Sequence, residues 1–176
     1  MESAYLLSIV FALVILTGAI AWFLLKRRHH AVQPAPIAVA VEPETLGELI
    51  PDSMYVDVDG AKLHYVQAGH GSDVVLLHGI GASVFIWRFL FPILQLRHRV
   101  TAIDLAGFGK SCKESNRDYG LDAQADLTAA ALQKIGIKEA KLVGSSMGGA
   151  IALWMAKKFP DRFKSVAALA PATDSS

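Results

Sequence analysis

The sequence predicts an α/β domain, a mostly parallel sheet with helices on both faces, preceded by one transmembrane helix. Three observations predict it. Short apolar runs alternate with helix-length segments through the second half of the chain, the pattern of strand–helix–strand units. An Asp59-Gly60 hairpin signal stands before them between two alternating runs. The chain also starts with a run, Ser3 to Leu25, that carries no charged side chain. The expected organisation is a transmembrane anchor with a basic flank at 1–30, a proline-containing linker at 31–52 and a globular domain at 53–176.

The apolar run would span ~34 Å as a helix, enough for a bilayer core. Tyr5 and Trp22 stand near its ends, where amphipathic rings favour the interface. A cleaved signal peptide would carry positive charge ahead of a shorter apolar core, whereas Glu2 is the only charged side chain here. Lys26, Arg27, Arg28 and two histidines follow the run. The positive-inside rule then places the domain behind them on the cytoplasmic side of a single-pass membrane protein. Pro34, Pro36, Pro43 and Pro51 make the next stretch an extended spacer.

In the globular part, Tyr55 to Val58 and Lys62 to Gln67 form the hairpin. Asp73 to Leu77 is a nearly continuous apolar run, as in a strand buried on both faces. Val84 to Leu94 reads as a helix, Arg99 to Ile103 as a strand and Leu121 to Ile135 as a helix. Ala140 to Val143 is the next strand, Met147 to Phe159 the next helix, and Ser165 to Leu169 the last strand. His78, Asp104 and Ser146 all fall just beyond strand ends, where sheets of this kind bind ligands.

Gly144-Ser145-Ser146-Met147-Gly148 lies between a strand and a helix. A strand that turns into a helix over one residue forces that residue into a strained backbone, and glycines two before and two after relieve the crowding. Ser146 is thus the candidate nucleophile, with its hydroxyl held at the top of the sheet. Ser145 does not fit, because Val143 would occupy a glycine position. An acyl-transfer transition state develops an oxyanion that fixed amides stabilise. Met147, at the helix N-terminus, supplies one backbone N–H. The loop Leu77-His78-Gly79-Ile80-Gly81 should supply the other through Ile80. His78 itself reads as a residue that orients this loop.

The runs VVLLHGIGAS, VTAIDLAGFGKS and KLVGSSMGGAIALWMAKKFPDRF together resemble three blocks of the α/β-hydrolase superfamily, in order, over about Met54 to Ala172. The resemblance implies a serine hydrolase acting on carboxylic esters or lipid acyl esters. Carbon–carbon bond hydrolysis, cofactor-free haloperoxidase chemistry or a non-catalytic membrane-bound remnant are the alternatives. Dehalogenases and epoxide hydrolases of the family carry Asp where Ser146 stands. A membrane helix ahead of such a domain also resembles the membrane-anchored monoacylglycerol lipases. In the family the triad acid and histidine follow the nucleophile. Here no histidine follows His98, and Asp174 is the one late acid at a matching place. The last strands and the cap are missing from the match, so the chain is expected to be a truncated form, inactive by itself.

The formal net charge of +1 and the lack of a basic stripe argue against nucleic acid as partner. The partners expected are a small-molecule ester or lipid and the lipid bilayer. No cofactor and no metal is implied. Gly107-Phe108-Gly109-Lys110-Ser111 brushes against a phosphate loop, but Asp104 stands where a Walker loop needs its first glycine. Cys112 is the single cysteine, so no internal disulfide can form.

Overall fold

The Asp59-Gly60 pair closes a tight hairpin, with φ of 50° and 81° at the two residues, as a two-residue turn of matching twist requires. It joins β1 (Met54–Val58) to β2 (Ala61–Ala68) in antiparallel register, Val58 facing Ala61 and Met54 facing Tyr65. The computed structural model describes residues 50–172. The expected anchor at Ser3 to Leu25, nearly all of the linker, and Asp174 lie outside the described residues. Among the described residues no helix is long and apolar enough to cross a membrane.

Four further strands follow: β3 (Ser72–Leu77), β4 (His98–Ile103), β5 (Lys141–Ser145) and β6 (Ser165–Leu169). The sheet order is β1-β2-β4-β3-β5-β6. β2 meets β4 antiparallel, and β4, β3, β5 and β6 run parallel. The mostly parallel sheet of the sequence reading is therefore present.

Strand alternation sorts the side chains onto two covered faces. From β3, Val75 and Leu77 join a core with Leu63, Ile103 and Leu142. This core is closed by Ala125, Ala129 and Leu132 of α2 (Leu121–Lys134) and by Ile151 and Met155 of α3 (Met147–Lys158). Val74 and Leu76 point the other way, onto Val84, Trp87 and Phe91. β3 is apolar and buried from Val74 to Leu77, because both faces of that stretch are covered. α3 stops where Pro160 follows its C-cap residue Phe159.

The segment Val84 to Leu94 corrects the sequence reading of one helix. It is a 3-10 turn at Val84–Trp87, capped by Ser83, followed by a one-turn helix α1 (Phe91–Leu94). Pro92 is the physical reason. It has no N–H to give the Arg88 carbonyl and its ring crowds that carbonyl, so a continuous helix cannot pass. The proline sits instead in the first turn of α1, where a missing N–H costs nothing. β5 also runs two residues beyond Val143, because β6 continues the ladder through Gly144–Ala168 and Ser145–Leu169.

Candidate active site

β5 delivers Ser146 to the carboxyl end of the sheet, and the chain reverses there within one residue. Ser146 has φ 51° and ψ −118°, a region that costs a side-chain-bearing residue roughly 1–3 kcal/mol. The surroundings hold it there. Its N–H donates to the Leu169 carbonyl at 2.9 Å, and its carbonyl accepts from the amides of Gly149, Ala150 and Ala172. The flanking glycines are required by contact: a Cβ on Gly144 would strike the Gly148 backbone, and one on Gly148 would strike the carbonyls of Leu77 and His78.

The loop after β3 touches the serine. A Cβ at Gly79 would lie 3.2 Å from the Ser146 Cβ and 3.7 Å from its hydroxyl oxygen. Ile80 and Met147 line one open hollow of about 440 Å³, with Phe108, Tyr119, Lys113 and Glu114. Among the described residues, the amides of Ile80 and Met147 have no backbone or side-chain acceptor. Two uncommitted donors thus border the serine, one of them at the N-terminal, partly positive end of α3. Ile80 is 73% exposed.

His78 is fully engaged elsewhere. It is 0% exposed, its Nδ1–H donates to the Gly79 carbonyl at 2.7 Å, and its Nε2 accepts the Leu105 amide at 3.0 Å. Burial lowers its pKa from the ordinary value, against the opposing pull of the Gly79 carbonyl and of the charge on Asp104. It is a neutral spacer between two loops and has no lone pair left for Ser146. Among the described residues no histidine hydrogen-bonds the Ser146 hydroxyl.

Asp104, just past β4, is the hub of the neighbouring loops. One carboxylate oxygen accepts the Val84 amide at 2.7 Å; the other accepts the Lys110 amide and His64 Nδ1, both at 2.8 Å. The turn from Gly107 to Ser111 wraps this carboxylate so closely that a Cβ on Gly109 would collide with it. The loop that brushed against a phosphate motif thus spends the Lys110 amide on Asp104. Cys112 packs against the larger core. Among the described residues no group of three His, Cys, Asp or Glu is placed to hold a metal ion. The sequence reading singled out Asp104 and His78, but not His64 or Ser53, which bonds it at 3.0 Å. Their only sequence signal is a histidine inside an apolar alternating strand.

Residues 74–176 match the family described as alpha/beta hydrolase fold. The chain is 36% identical over 112 residues to bifunctional epoxide hydrolase 2 of Sus scrofa, covering 62% of this chain and 20% of that protein. Among solved structures it is similar to a membrane phospholipase A described as a bacterial virulence factor, with TM-score 0.70 and 29% identity, over 90% of this chain and 52% of the other. It is likewise similar to naproxen esterase from Bacillus subtilis, with TM-score 0.67 and 27% identity, over 73% and 47%. The chain therefore spans about a fifth of that curated relative and about half of these solved structures.

Proposed function

The chain belongs to the α/β-hydrolase fold family, and from that premise we propose that it carries the nucleophile and oxyanion half of a serine hydrolase for carboxylic esters or lipid acyl esters. The observation behind the reading is the strained Ser146, with the Ile80 and Met147 amides uncommitted beside it. In the reaction, the Ser146 oxygen attacks the ester carbonyl. The two amides hold the oxyanion, the alcohol leaves, and water releases the acid. The reaction needs a histidine base; no histidine follows Ser146 in the sequence, and among the described residues none hydrogen-bonds its hydroxyl.

The similarity to an epoxide hydrolase does not redirect this chemistry. An enzyme that opens an epoxide through a covalent intermediate needs a carboxylate, because the resulting ester can be hydrolysed at its carbonyl. A serine oxygen would leave an ether, which water does not cleave under these conditions. Ser146 fits acyl transfer.

The apolar run Ser3 to Leu25 and the basic residues behind it make the chain a single-pass membrane protein with its hydrolase domain on the cytoplasmic side. The neighbour named as a membrane phospholipase A supports a lipid acyl ester as substrate. The anchor predicts that the expressed chain stays with membranes after alkaline washing; release of the intact chain would refute it. Acyl selectivity is read by supplying a segment with the late acid and histidine and assaying p-nitrophenyl esters of increasing chain length. Rates rising toward long chains support the lipid reading, and hydrolysis confined to acetate would reduce it to a short-chain esterase. No hydrolysis at any length would overturn the assignment.

A further inference from the structure

A second serine, far from Ser146 in sequence, has the partners that Ser146 lacks. Asp104 Oδ2 lies 2.8 Å from His64 Nδ1, and His64 Nε2 lies 3.0 Å from the hydroxyl oxygen of Ser53. Lys110 Nζ lies 2.8 Å from the same oxygen. We propose that Ser53, His64 and Asp104 form a separate nucleophilic centre, in which Ser53 is acylated by small activated carboxylic esters with Lys110 as its electrostatic partner.

The proton positions follow from what each group can do. An ammonium only donates, so Lys110 donates to the Ser53 oxygen and leaves the serine's own proton to point elsewhere. A carboxylate only accepts, so Asp104 fixes the His64 tautomer with its proton on Nδ1. His64 Nε2 then presents a lone pair to the Ser53 hydroxyl. This is the order of roles in a serine–histidine–acid relay, which is recognised by geometry and not by sequence position.

The burial gradient suits the same task. His64 and Asp104 are each 1% exposed, while Ser53 and the end of Lys110 reach solvent. The Tyr55 ring lies against the imidazole, with centroids 5.3 Å apart. Ser53, His64, Asp104 and Lys110 line an open hollow of about 380 Å³ whose apolar wall includes Val66 and Phe85. That is the size of a site for a small acyl group. This hollow shares no lining residue with the one lined by Ile80 and Met147.

The step balances within these groups. The Ser53 oxygen bonds to the ester carbonyl carbon as its proton passes to His64 Nε2. The bond to the leaving alcohol then breaks, and that oxygen takes the proton from His64. The products are the alcohol and an ester on Ser53. Lys110 offsets the negative charge that develops on the oxygens. Asp104 acts through His64 as a positioning residue.

The test treats the full chain, in membranes or detergent, with a fluorophosphonate and maps the adduct by peptide mass spectrometry. Phosphorus bonds to the serine oxygen and fluoride leaves with the proton. The expected result is an adduct on Ser53 that disappears in Ser53→Ala and persists in Ser146→Ala. His64→Gln should slow its formation by about 100-fold or more. Lys110→Gln, at an exposed position, should slow it by about tenfold or more, which reads the centre even where the His64 variant fails to fold. An adduct only on Ser146, no adduct on Ser53, or a Ser53 rate unmoved by Lys110→Gln would overturn the proposal and reduce the cluster to a tie between the segment before β1, β2 and the loop after β4. An adduct on Ser146 would in addition show that this chain already activates Ser146; the other outcomes leave the Ser146 reading untouched, because that reading depends on a base supplied from elsewhere.

Discussion

In the roles proposed for them, Ser146 and Ser53 are opposite halves of the same chemistry. Ser146 has the strained backbone, a helix N-terminus and two uncommitted amides, but among the described residues no base reaches it. Ser53 has a histidine, a carboxylate behind it and a lysine beside it, but it precedes β1 in irregular backbone and has no helix N-terminus. Stabilising an oxyanion and activating a nucleophile are therefore separable tasks built by different structures. The first needs a tight local turn; the second needs side chains converging from distant strands.

The comparison breaks most severely at Asp104, the group both sites depend on. Its carboxylate orients His64 for Ser53, and it holds the Val84 amide that anchors the far end of the loop containing Ile80. Asp104→Ala leaves three buried or half-buried donors without an acceptor, at about 1–3 kcal/mol each. We expect a loss of about 3 kcal/mol or more in urea unfolding and a fall of about 10³-fold in Ser53 labelling. A variant that keeps both within error would show that Asp104 is not the shared hub.

A smaller effect separates the two serines. Gly148→Ala drives a Cβ into the Leu77 and His78 carbonyls and must push α3 away from the Ser146 turn. We expect about 1–3 kcal/mol of destabilisation with Ser53 labelling retained in the folded fraction. Loss of Ser53 labelling in the folded fraction would mean that the Ser146 turn and the Ser53 site are mechanically coupled.

The smallest effect is a pH dependence. Burial holds the His78 pKa below its ordinary value, so the unfolded chain binds a proton near pH 6.5 that the folded chain refuses. Stability is then unaffected by this group above about pH 6.5 and falls as pH drops below it. His78→Gln should flatten that part of the urea-midpoint profile between about pH 7 and pH 5, whatever it costs in absolute stability. An unchanged slope would assign the acid sensitivity to another group.

What the sequence revealed follows the same division. The Ser146 turn was legible because its physics is local: two glycines, a serine, a strand before and a helix after. The sheet was legible because β3, apolar on both faces, can only be a covered strand. The split of Val84 to Leu94 was also written locally, in Pro92, but the apolar spacing masked it. The Ser53–His64–Asp104 cluster was not legible, because its members are 11 and 40 residues apart and meet only when β2 pairs with β4. No spacing rule connects a residue before a hairpin to one past a later strand.

The central proposal is that Ser146 is the hydrolytic nucleophile of this fold, with neither a base nor an orienting acid reaching it among the described residues. The direct test joins the 176 residues to a family segment that supplies a late Asp and His, and measures p-nitrophenyl ester hydrolysis with Ser146 intact or changed to Ala. We predict no Ser146-dependent turnover from the chain alone. Turnover should appear on joining and fall by about 10⁴-fold or more in Ser146→Ala. Turnover that survives Ser146→Ala in the joined protein, or full Ser146-dependent turnover by the chain before joining, would contradict the account.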